Sequence, residues 1–103
     1  MKIETKREIA KQIAKKLRKE TGLRIRVLRG NGTTEPVGHE KCDAYFVIEQ
    51  YDDSPILYLN FRPKTASNIK KALDKLRIPY WWNGDIFKCF KFVLDMKEYF
   101  GLR

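Results

Sequence analysis

Arg7, Lys11, Lys15 and Arg18 recur at intervals of three and four residues, the repeat of an α-helix. Side chains so spaced share one face, and a row of four cations can neutralise successive phosphates and release their counterions. Arg24, Arg26 and Arg29 follow closely and extend the same charge. Lys64, Lys70 and Lys71 offer more cations later in the chain, and the one histidine, His39, stands between the two groups. Tyr45, Tyr51 and Tyr58 are flat rings that, with Arg24 and Arg26, could stack unpaired bases. A stacked base is worth about 1–3 kcal/mol. The competing use of these tyrosines is half-buried packing under the aromatic C-terminal segment that holds Trp81, Trp82, Phe87, Phe90 and Phe92.

Other groupings carry less chemistry. Gly30-Asn31-Gly32-Thr33-Thr34 could aim backbone N–H groups at a phosphate, but it lacks the Lys-Ser/Thr ending of a P-loop and reads as a plain turn. His39, Cys42 and Cys89, with Asp43 as a fourth, are zinc-ligand types, yet the cysteines lack paired zinc spacing. No metal or cofactor is therefore expected. Glu40, Asp43, Glu49, Asp52 and Asp53 are types that hold Mg²⁺ for phosphodiester cleavage, and they equally suit a solvated hairpin end. No catalytic residue is assigned.

The elements that must position these groups follow from periodicity. Residues 5–20 read as a helix: Ile9, Ile13 and Leu17, with Ala10 and Ala14, form an apolar stripe. Thr5-x-x-Glu8 fits a capping box at its start, and Thr21-Gly22 a stop. Residues 23–29 alternate as a strand, and 30–43 read as one long surface loop. Residues 44–51 and 56–62 read as a hairpin with Phe46, Ile48, Leu57, Leu59 and Phe61 inward. Tyr45, Glu49, Tyr51, Tyr58, Asn60 and Arg62 would then face outward. Residues 66–77 form a second helix with stripe Ile69, Leu73 and Leu76, ended by Pro79. Beyond it, Asn83-Gly84 signals a hairpin turn, with Asp95 capping a short last helix; the competing reading is one helix from Ile86 to Phe100. Phe, Cys and Val favour the hairpin. The expected fold is α+β: an antiparallel sheet of three to five strands with helices mainly on one face.

The chain has 103 residues, the size of one domain, so residues 1–103 are read as a single small basic domain. It carries 22 Lys and Arg against 13 Asp and Glu, a net charge of +9. Residues 1–30 hold eleven bases and three acids, 31–60 one base and six acids, and 61–103 ten bases and four acids. So strong a positive balance points to a polyanionic partner. No apolar run of about 18 residues exists, so no membrane span is expected. The polar start and two separated cysteines lead us to expect a cytoplasmic protein with reduced thiols.

The order helix, strand, strand, strand, helix over residues 5–77 resembles the double-stranded-RNA-binding domain. The resemblance implies an RNA surface made of Arg7, Lys11, Lys15 and Arg18, the loop with Pro36-Val37-Gly38-His39, and Lys64, Lys70 and Lys71. Non-catalytic nucleic-acid binding, RNA ahead of DNA, is thus the first functional expectation. The second is a small protein-binding module or inhibitor, of a kind mobile elements encode, docking on an acidic protein surface. The third is a metal-dependent nuclease.

Overall fold

The computed structural model describes residues 2–32, 35–84 and 90–101. Helix α1 spans Ile3–Thr21. It starts ahead of the expected capping box because Ile3, packed against the core, and the buried Lys6 add a turn to the apolar stripe. Lys2 is the N-cap, without a side-chain cap bond, so Thr5 lies inside the helix. Gly22 ends it at φ +71°, a left-handed conformation that suits glycine, with its N–H on the Arg18 carbonyl at 2.8 Å.

The strands are β1 Ile25–Arg29, β2 Ala44–Ile48, β3 Ile56–Phe61, β4 Trp81–Gly84 and β5 Phe90–Asp95. Helix α2, Ala66–Lys75, follows β3, and a single-turn helix α3, Met96–Tyr99, follows β5. The strands form one sheet in the order β1-β2-β3-β5-β4. The fold is α+β, as expected, and the sheet is antiparallel except at one pair. β1 runs parallel to β2, with Ile25 opposite Ala44 and Arg29 opposite Ile48. A parallel pair needs a crossover of about a dozen residues, which is what the long segment between β1 and β2 provides.

The C-terminal hairpin forms, but not around Asn83-Gly84. Both residues belong to β4, paired with Lys91 and Phe90. Residues 85–89, between the two strands, lie outside those described. Asp95 caps α3 as expected, its Oδ1 accepting the Lys97 N–H at 2.9 Å. Helix α2 stops before Pro79 acts: Arg77 takes φ +57°, the Ile78 N–H reaches the Leu73 carbonyl and the Arg77 N–H that of Asp74. That is the paired closure usually built on glycine.

One core joins these elements. Ile9, Ile13 and Leu17 pack with Phe46, Ile48, Leu57, Leu59, Phe61, Ile69 and Leu73, and Leu76 lies at its margin. Ile25, Ile78, Phe92, Leu94 and Met96 complete it. The inward residues of β2 and β3 are those that alternation selects. All three helices lie on this face, α3 through Met96 and through the Tyr99 hydroxyl, which accepts from Lys16 Nζ at 3.3 Å.

Candidate functional site

One cation of α1 reaches the free edge of the sheet. β1 is an edge strand, and Arg18 Nη1 donates to the Ile25 carbonyl at 2.7 Å. The opposite flank of α1 faces the other helices, through Lys16 to Tyr99 and through Glu20, whose carboxylate lies 3.0 Å from Lys75 Nζ. Arg7, Lys11 and Lys15 share the Arg18 side by helical spacing. α1 and β1 run antiparallel, so Arg29, four residues and about 13 Å beyond Ile25, falls near the level of Lys11.

These cations differ in their commitments. Among the described residues Arg7, Lys11, Lys15, Arg26 and Arg29 form no ion pair. Lys6, by contrast, is buried, 3.1 Å from Asp52 Oδ2. Arg24 is held by Asp43, which accepts its backbone N–H at 2.8 Å and its Nε at 3.4 Å. That backbone N–H, followed by the guanidinium and the charge of Lys64, holds the Asp43 carboxyl below its usual range against the effect of burial. Lys64 is exposed in a 3-10 turn, Pro63–Thr65. Lys70 and Lys71 are exposed on α2, across α1 from the edge cations. The RNA surface implied by the family resemblance is therefore split: the α2 lysines do not join the α1 row.

The crossover between β1 and β2 returns on the face opposite the helices. Its 3-10 turn, His39–Lys41, is clamped by Arg62, whose guanidinium donates to the carbonyls of His39, Glu40 and Cys42 at 3.3–3.5 Å. The His39 ring lies 6.0 Å from that of Tyr45, and its Nε2 is 2.9 Å from Glu35 and 3.6 Å from Glu40. Pro36 and Cys42 are buried anchors of this segment. Burial pushes the Cys42 thiol up, and it donates to the Gly38 carbonyl, so it lacks the character of a nucleophile. Cys89 lies outside the described residues. The Gly30 N–H is spent on the Ile48 carbonyl, which removes it from any phosphate cradle. Thr33 and Thr34 of that Gly-rich segment are also outside those described.

The acids are dispersed. Asp43 precedes β2, whereas Asp52 and Asp53 lie in the turn beyond its other end. Glu40 turns to His39, and Glu49 stands against Gly30. Among the described residues no group of three His, Cys, Asp or Glu side chains could hold a metal ion.

The sheet face away from the helices carries three aromatic rings, Tyr45, Tyr58 and Trp81, among its described residues. Tyr45 lies opposite Asn60 and next to Arg26, while Tyr58, Val93 and Trp81 form one cross-strand row. Lys91 Nζ sits 5.5 Å from the centre of the Tyr58 ring. Tyr51 departs from expectation: β2 ends at Ile48, and Tyr51 projects from the turn, 89% exposed. Trp81 and Lys91 were not read as site residues from sequence. Their alternation was hidden by the ambiguity between strand and helix in that segment. Comparison of the chain with protein-family models, with curated proteins and with solved structures finds no match.

Proposed function

We propose that the protein binds nucleic acid without catalysing a reaction, RNA ahead of DNA, through the edge formed by α1 and β1. The observation that carries this is the separation of roles among its cations. Those needed for folding are paired, while Arg7, Lys11, Lys15, Arg26 and Arg29 form no ion pair among the described residues and follow one edge. Unpaired cations in a row exchange condensed counterions for phosphates, the main source of affinity for a polyanion. RNA is ranked first on the order of elements alone, which resembles the double-stranded-RNA-binding domain, although β1 and β2 run parallel and the α2 lysines stand apart from the α1 row.

The test is a set of binding isotherms with duplex RNA, duplex DNA and single strands at about 50 and 200 mM salt. Binding that weakens steeply between these two supports the reading. No binding to any of them at the lower salt overturns it and turns attention to an acidic protein surface.

A further inference from the structure

We infer that the sheet face opposite the helices is a stacking platform for the unpaired bases of a single-stranded nucleic acid. This rests on the nucleic-acid reading and narrows its ligand. The face has an apolar floor, with Val93 buried between Tyr58 and Trp81 and with Val47 and Leu28 continuing the row toward β1. On that floor Tyr58 is 38% and Trp81 48% exposed, although each is large enough to be a core residue. They stand two strands apart, about 10 Å, a separation that leaves each ring open to a separate base. Tyr45 lies diagonally from Tyr58 on the neighbouring strand, its ring 6.0 Å from that of His39, where the crossover between β1 and β2 borders the platform.

Charge fits the same occupant. Lys91 rises beside the Tyr58 ring, and Arg26 stands next to Tyr45 at the border with the α1–β1 edge. An aromatic floor interleaved with cations suits a ligand that has both π-faces and phosphates. From β1 to β4 the sheet spans about 19 Å, room for the two or three bases that a four-stranded platform stacks.

The experiment uses the full chain and three probes of equal length: a twelve-nucleotide oligothymidylate, the same strand with abasic sites throughout, and a twelve-base-pair RNA duplex. The oligothymidylate is expected to bind at least ten-fold more tightly than the abasic strand and to quench tryptophan fluorescence. Tyr58→Ala and Trp81→Ala should each remove about ten-fold of that preference, while Tyr58→Phe and Trp81→Phe keep most of it. Lys11→Glu with Lys15→Glu should weaken both strands alike. Equal affinity for the base-bearing and abasic strands overturns the platform and leaves the phosphate reading standing, and so does tighter binding of the duplex. That comparison uses the unaltered chain, so it holds even where an alanine variant fails to fold. No binding of any probe at about 50 mM salt overturns both readings.

Discussion

Lys6 is the one lysine in the described part of the chain that gives up its water, at 2% side-chain exposure, and it does so for Asp52. Nζ also donates to the Asp52 carbonyl at 3.3 Å, so the start of α1 is tied to the turn between β2 and β3. Burial pushes the Asp52 carboxyl up, but the hydrogen bonds from Ser54 and Lys6 outweigh it and hold it below the usual range. A depressed carboxylate stabilises the fold at pH values above its unfolded pKa of about 3.9, and that stability is lost as pH falls through the lower folded value. Asp52→Asn should cost about 1–3 kcal/mol at pH 7, less than for a fully enclosed pair because Asp52 is a third exposed. Denaturation midpoints from pH 7 down to about 2.5 should show this difference shrinking with acidity. Arg77 presents the opposite case. Its left-handed φ of +57° is a conformation for glycine, and among the described residues it forms no ion pair that would offset the strain. Arg77→Gly should raise stability by about 0.5–1 kcal/mol in chemical denaturation, the relief exceeding the added freedom of the unfolded chain.

At the scale of elements, α1 and the last hairpin share one core although they come from opposite ends of the described chain. Ile13 is 1% and Phe92 1% exposed. Ile13→Ala should cost about 2–5 kcal/mol and Phe92→Ala about 3–5 kcal/mol, both read from the denaturation midpoint. A small loss at Phe92 would mean that the hairpin docks weakly. The stripes of α1, β2, β3 and α2 were legible because an apolar repeat of 3.6 or 2 needs only local sequence. Asn83-Gly84 misled because turn propensity is weak against pairing. The inward Trp82, tilted against Phe61 and edge-on to Phe92, draws this part of the chain into β4. The parallel run of β1 and β2 was barely legible, since no residue type marks strand direction. The length of the intervening segment was its one signal.

Over the whole molecule, a net charge of +9 is divided between cations that hold the fold and cations that face solvent. The site was legible as charge, since the row on α1 is a matter of spacing. It was not legible as a surface, because only the fold puts β1 under α1 and sends Lys70 and Lys71 to the other side. If about four phosphates are neutralised at the α1–β1 edge, log K should fall with log salt at a slope of roughly −3 to −4. Changing Lys11 and Lys15 together to Glu should weaken binding across sequences and flatten that slope, because phosphate contacts carry no base information. Titrations at several salt concentrations measure both effects. A slope left unchanged by the double variant would move the contact away from α1.

The place of β5 has a consequence for how the chain comes off the ribosome. β5 is made after β4 yet lies between β4 and β3. Until β5 is free to pair, β3 has a partner on one side only, and the apolar face of Leu57, Leu59 and Phe61 borders an open row of backbone donors and acceptors. β4 has no partner at all in that interval, since its ladder is made with β5 alone. The sheet therefore closes from the inside, and only once β5 is available. A chain truncated between β4 and β5 exposes the kind of apolar edge to which other strands add.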